Sequence, residues 1–132
     1  MRKLIVMMLL AIVSSGAAAE WVKIREAGFS SGYDYYADPV TIRRSGDVVK
    51  MLTMNDFKTK QIRTSGYQYL SSTAQNEYDC KRDRLRMLSS VLYEKNMATG
   101  FSLDTSIDSS NWKAVTPGSI DEAAWKLACG KF

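Results

Sequence analysis

The chain has 132 residues, of which 45% are hydrophobic and 24% charged, and its formal net charge is +4. That length suits one domain around one core, and an aromatic content of 11% argues against intrinsic disorder. There is no histidine and there are only two cysteines, which excludes a serine–histidine–acid triad, a cysteine–histidine dyad, a histidine-ligated zinc or haem site and a four-cysteine zinc ribbon.

Residues 1–19 read as a targeting segment. Arg2 and Lys3 make a positive start, Leu4 to Val13 an apolar run, and Ala17-Ala18-Ala19 the small-residue pattern that signal peptidase accepts. As a helix the apolar run would reach only about 15 Å, against roughly 30 Å of membrane hydrocarbon. The expectation is a signal peptide cleaved before Glu20, leaving a single β-rich domain over residues 20–132 that does not span a membrane. Cleavage removes Arg2 and Lys3 and no acid, so the mature chain is only weakly basic. Nothing in it calls for nucleic acid. No cysteine lies near the cleavage site to carry a lipoprotein anchor, so the expected location is periplasmic or secreted.

From Trp21 to Leu103 the pattern is mostly β, in short runs rich in Val, Ile, Thr and Tyr. Trp21 to Arg25 opens as a strand, and Tyr33 to Tyr36 is a second, ended by an Asp38-Pro39 corner. Val40 to Arg44 and Val48 to Met54 flank a three-residue loop, Ser45-Gly46-Asp47, as a hairpin. Tyr67 to Cys80 pairs with Arg84 to Tyr93 across the polar turn Lys81-Arg82-Asp83. Phe101 to Leu103 adds a short strand after Gly100.

The period then changes. Ser119-Ile120-Asp121-Glu122 is a capping box behind the turn Pro117-Gly118, and Ile120, Ala123, Ala124, Leu127 and Ala128 form one apolar stripe. Gly130 stands where a helix stop belongs. These signals predict a helix over 120–129 packed on an antiparallel sheet of about five to six strands, an α+β fold. In an oxidising compartment Cys80 and Cys129 are expected to join, tying the helix to the strand that ends at Cys80. A loop of about 50 residues is worth about 4 kcal/mol in the chain-entropy account. A redox pair is the alternative, although such pairs usually sit close together as C-x-x-C.

Among candidate sites the densest charge is Lys81-Arg82-Asp83-Arg84-Leu85-Arg86. In strand geometry Arg82, Arg84 and Arg86 share one face, and guanidinium forks suit carboxylates, sulfates and phosphates. The same charges would also guard a sheet edge against aggregation. Lys58, Lys60 and Arg63 form a second basic segment with the same two readings. Tyr33, Tyr35, Tyr36, Tyr67 and Tyr69 suit either a protein-binding surface or cross-strand packing. Trp21, Trp112 and Trp125 are expected in the core, Trp125 beside the disulfide. Catalysis would have to use carboxylates among Asp79, Asp83, Asp104, Asp108, Asp121 and Glu122, of which Asp121 and Glu122 fit the helix N-terminus. No calcium loop or phosphate-binding glycine pattern occurs, so no metal or cofactor is expected.

The run Ser71-Ser72 through Glu77-Tyr78-Asp79-Cys80, then Arg84, Arg86-Met87-Leu88-Ser89, Tyr93 and Met97-Ala98-Thr99-Gly100, resembles the bacterial surface-adhesin protein E family. So do Asp56-Phe57-Lys58 with Gln61, and the tail from Trp112 through Val115-Thr116-Pro117-Gly118-Ser119 to Leu127-Ala128-Cys129. The resemblance implies an exported Gram-negative protein with one antiparallel sheet and a C-terminal helix on one face. It also implies adhesion, since the family's namesake is an outer-membrane lipoprotein that binds host proteins such as laminin, vitronectin and plasminogen.

Together these readings point to a small exported binding module without enzymatic activity, which meets a protein or an anionic polymer through its sheet and its basic turn. The alternative is a periplasmic accessory protein, or an inhibitor of an envelope enzyme, with no adhesive role. The edges of an open sheet leave a homodimer possible.

Overall fold

Alternation of inward and outward side chains carries through the middle of the chain and builds long strands. The computed structural model describes residues 19–25, 32–105 and 111–131. The expected signal peptide, except Ala19, and the candidate acid Asp108 lie outside the described residues, as does Phe132. The strands are β1 (Val22–Arg25), β2 (Tyr33–Ser45), β3 (Val48–Ile62), β4 (Gln68–Asp79), β5 (Arg84–Lys95), β6 (Thr99–Thr105) and β7 (Lys113–Ala114). They form one antiparallel sheet in the order β1-β2-β3-β4-β5-β6, with β7 pairing β5 beside β6. The strand count therefore exceeds the five to six expected, because the two-residue β7 is too short to leave a periodic signal.

Four local expectations change, the first being that the strand expected over Val48 to Met54 runs on to Ile62. Asp38-Pro39 does not end a strand: β2 runs through it, and the register against β3 shifts between Asp38 and Arg43. Proline brings no N–H to a ladder, so an irregularity is where it fits. The Asp38 carboxylate accepts from the Val40 N–H at 3.1 Å, and the Thr41 hydroxyl accepts from the Leu52 N–H at 2.9 Å, which splices the ladder. The hairpin loop is the two residues Gly46 and Asp47, since Ser45 already pairs with Val48, and Gly46 takes the positive φ of 62° that the turn requires. The short strand at Phe101 extends over Thr99–Thr105.

The helix α1 (Ile120–Cys129) has the expected bounds. The Ser119 hydroxyl accepts from the Glu122 N–H at 3.1 Å, and the Glu122 carboxylate reaches back to the Gly118 N–H at 3.3 Å. Gly130, left-handed at φ 67°, ends it, with its own N–H on the Leu127 carbonyl and the Lys131 N–H on the Lys126 carbonyl. The buried positions are Ala124, Trp125, Ala128 and Cys129, while Ile120, Ala123 and Leu127 are half-buried. The apolar stripe is thus rotated from the predicted one, because the disulfide and the large indole pull their own side of the helix inward.

That face meets Tyr35 and Ala37 of β2, Val49 and Met51 of β3, Tyr78 of β4 and Leu85 of β5 in one core. Fully buried Ala37 and Ala124 let helix and sheet approach closely. Cys80 and Cys129 are bonded with their Cα atoms 5.6 Å apart. Trp125 sits beside them, donating from Nε1 to the Asp79 carbonyl at 3.0 Å. Lys131 stands 4.6 Å above its ring and donates to the Cys80 carbonyl at 2.8 Å. Trp21 and Trp112, expected in the core, are only half-buried.

Candidate functional site

The β4–β5 turn forms a basic corner. Asp79 organises it: its carboxylate accepts from the backbone N–H groups of Lys81 and Arg82, each at 3.1 Å, and from Arg84 Nε at 3.0 Å. Burial works against the Asp79 charge, yet the Arg84 bond and the two backbone donors outweigh it and hold the carboxyl below the usual carboxylate value. Glu77 pairs in the same way with Arg86 at 3.0 Å. Both guanidinium groups lie over the Trp112 ring, at 4.6 Å for Arg84 and 4.4 Å for Arg86. Arg84 and Arg86 alternate with Leu85 and Met87, so they point to the face opposite the helix.

The three-arginine stripe does not form as expected. Arg82 lies in the turn before β5 begins, and only Arg84 and Arg86 share strand geometry. Lys81 and Arg82 are exposed at the turn. The sheet supplies two further cations: Arg43 pairs with Lys50, Lys50 with Glu77, and Glu77 with Arg86, a single cross-strand row. The Arg43–Lys50 step follows from a two-residue hairpin loop by counting. The Lys50–Glu77 step needs the non-local β3–β4 register, which no local pattern encodes.

The second basic segment does not act as a unit. Lys58 pairs at 3.1 Å with Asp34, which Lys23 also approaches at 3.7 Å, and the hydrogen bond to Asp34 raises the Lys58 pKa. Lys60 and Arg63 are exposed.

On the helix side the strands run beyond what the helix covers and leave a cleft of about 690 Å³. One end is formed by Ser119, Ile120 and Asp121 at the start of α1. Toward the other end Tyr33, Phe57 and Tyr69 pack edge to face, with centroids 5.6 and 5.7 Å apart. The floor between them is polar, with Thr53 and Asn55 on β3, Ser72 and Asn76 on β4, and Ser90 on β5. Beneath it lies a buried network. Asn76 Nδ2 donates to the Thr53 hydroxyl at 2.8 Å and to the Tyr78 hydroxyl at 3.2 Å, and the Tyr35 hydroxyl joins Thr53 and Tyr78. Burial pushes the Tyr35 pKa up to about 12 and that of Tyr78 well above the usual tyrosine value, so both stay neutral donors. The tyrosines therefore divide: Tyr35 is core, Tyr33 lines the cleft, Tyr69 packs on Phe57, Tyr36 meets Lys23 at 5.8 Å, and the Tyr67 hydroxyl donates to the Phe101 carbonyl at 3.3 Å.

The six-strand meander with its C-terminal helix has counterparts in fold. The profile of surface-adhesin protein E matches residues 21–130, nearly all of the chain after the N-terminal segment. The chain belongs to the surface-adhesin protein E family. A second crystal form of Haemophilus influenzae protein E superposes with a TM-score of 0.65 at 15% identity, covering 84% of this chain and 98% of that one. Another structure of Haemophilus influenzae protein E gives 0.63 at 14% identity, covering 85% and 95%. Protein E from non-typeable Haemophilus influenzae gives 0.60 at 15% identity, covering 86% of each chain. These likenesses are likenesses of fold. No curated protein matches the sequence.

In this surface-adhesin E fold the candidate carboxylates are dispersed. Asp79 is held by the turn, Asp83 and Asp104 are exposed, Asp121 pairs with Lys113 at 3.0 Å, and Glu122 closes the helix cap. Among the described residues no three His, Cys, Asp or Glu side chains gather as metal ligands. No described helix is long and apolar enough to cross a membrane.

Proposed function

We propose that the chain is an exported, non-enzymatic binding module whose basic corner engages an acidic protein surface or an anionic polymer. One observation supports this reading above the rest: the register brings Arg43 and Lys50 into one cross-strand row with Glu77 and its partner Arg86, on the strands that the turn bearing Lys81 and Arg82 joins, so cations distant in sequence meet at one corner. Clustered cations draw in anionic partners and fix their orientation. Arg84 and Arg86, stacked on Trp112 and braced by Asp79 and Glu77, give that patch a rigid base. Membership of an adhesin family agrees with a binding role.

The test is the charge-reversed triple variant Lys50→Glu, Lys81→Glu, Arg82→Glu, all at exposed positions. With heparin as the anionic probe, the expected result is elution at markedly lower salt while the melting temperature holds. Unchanged elution refutes the basic corner. Export is tested on the same protein by N-terminal sequencing of the periplasmic fraction, where the expected first residue is Glu20 and an uncleaved Met1 in the cytoplasm overturns it.

A further inference from the structure

We propose that the cleft beyond the N-terminal end of α1 binds an oligosaccharide that carries N-acetyl groups. The cleft lies over β3, β4 and β5 in the middle of the sheet, where β3 and β4 are laddered on both sides and β5 is met on its far side by β7 at Arg84 and Leu85 and by β6 from Ser90 onward. A ligand over β3 and β4 finds no free strand edge, so side chains must recognise it there, and an extended peptide loses its usual means of docking on those strands. Many of those side chains are hydroxyls and carboxamides, such as Ser72 and Asn55, which both donate and accept. That is the chemistry of sugar hydroxyls and of an acetamide, and a wholly apolar ligand would leave it unpaired.

Charge points the same way. Lys113 at the rim is paired with Asp121, and Arg25 leans toward the Gly118 carbonyl at 3.5 Å, so the cleft offers no concentrated positive charge for a phosphate. Tyr33, packed edge-on against Phe57, offers an aromatic surface for the C–H face of a pyranose. Ala74 and Met87 place apolar surface near the carboxamides, where an acetyl methyl fits. Asn76 is already fixed by Thr53 and Tyr78, so little ordering remains to oppose binding. The volume of about 690 Å³ is that of a small-molecule site. The cleft is on the face opposite the basic corner, and the two proposals stand or fall separately.

The probe is tri-N-acetylchitotriose, with cellotriose as the same linkage without acetamides, followed by amide NMR shifts of the disulfide-bonded protein. The expected result is saturable shifts around Asn55, Ser72 and Met87, with cellotriose weaker by about tenfold or more, roughly the contribution of one hydrogen-bonded group. Asn55→Ala is expected to weaken chitotriose by a similar factor, and Ser72→Phe, which fills the cleft, to abolish binding. If Ser72→Phe fails to fold, Asn55→Ala decides. A muramic-acid-containing disaccharide and a hyaluronan tetrasaccharide then separate a wall glycan from a matrix glycan. Absence of saturable shifts at millimolar chitotriose, shifts confined to other regions, equal affinity for cellotriose, or full binding by folded Asn55→Ala would each overturn the proposal.

Discussion

The two halves of the helix-side face are made by the same strands yet differ in chemistry. Under α1 the inward positions are Val49, Met51, Tyr78 and Leu85, sealed by Trp125 and the disulfide. A few residues farther along, the inward positions become Thr53 and Asn55 on β3 and Asn76, Ala74 and Ser72 on β4, and the surface opens into the cleft. A ten-residue helix is about 15 Å long, whereas the 15 residues of β3 extend over about 50 Å. The cover is therefore shorter than the sheet. Where cover ends, apolar residues would lose their burial, and hydroxyls and amides that bond to one another replace them. The Tyr35–Thr53–Asn76–Tyr78 network marks that boundary.

The largest effect should come from the tether that holds the cover in place. Reducing Cys80–Cys129, which are 49 positions apart, is expected to destabilise the fold by about 4 kcal/mol and to lower the melting temperature by roughly 10 °C or more. Equal thermal melts with and without reductant would show that the helix side needs no tether. Next comes Met51→Ala, at a fully buried position under the helix. It should cost about 3 kcal/mol in denaturant unfolding, from lost transfer energy and the cavity left behind. A cost below about 1 kcal/mol would mean the core collapses around the gap.

Asp79→Asn should cost about 2 kcal/mol at neutral pH, because charge-assisted bonds to Arg84 and two N–H groups are weakened. The folded Asp79 carboxyl lies below its ordinary value of 3.8, so its stabilisation is full above that value and fades as pH falls through the folded one. The gap between wild type and variant should therefore narrow from pH 7 toward pH 2 in urea unfolding. A constant gap would assign the effect to shape and not to charge. The smallest change is expected across the boundary in the cleft, where Ser72→Ala should alter stability by no more than about 0.5 kcal/mol. A loss as large as that for Met51→Ala would erase the distinction between the two halves.

Much of the fold was legible because its signals are local. The helix bounds follow from the Ser119 cap, Glu122 and Gly130, each acting within four residues of its partner. The β2–β3 and β4–β5 hairpins follow from polar turns between alternating runs. Three features escaped for physical reasons. β7 has two residues and therefore no period. Asp38-Pro39 reads as a break because the splice at Thr41 and Leu52 is a long-range contact. The basic corner was half legible: Lys81, Arg82, Arg84 and Arg86 stand out as a run, but Arg43 and Lys50 join them only through strand register.

The cleft was not legible at all. Its tyrosines, Tyr33 and Tyr35, stand in an aromatic-rich set, while Thr53, Asn55, Ser72 and Asn76 look like ordinary strand residues. Sequence by itself determined the element types, the capped helix, the pairing of the two cysteines and the family resemblance, since each depends on neighbouring residues or on composition. Tertiary structure alone decided which cations share a corner and where the helix stops covering the sheet. Those are distances between residues far apart in the chain, and they depend on register and on the lengths of packed elements, quantities that no local window contains.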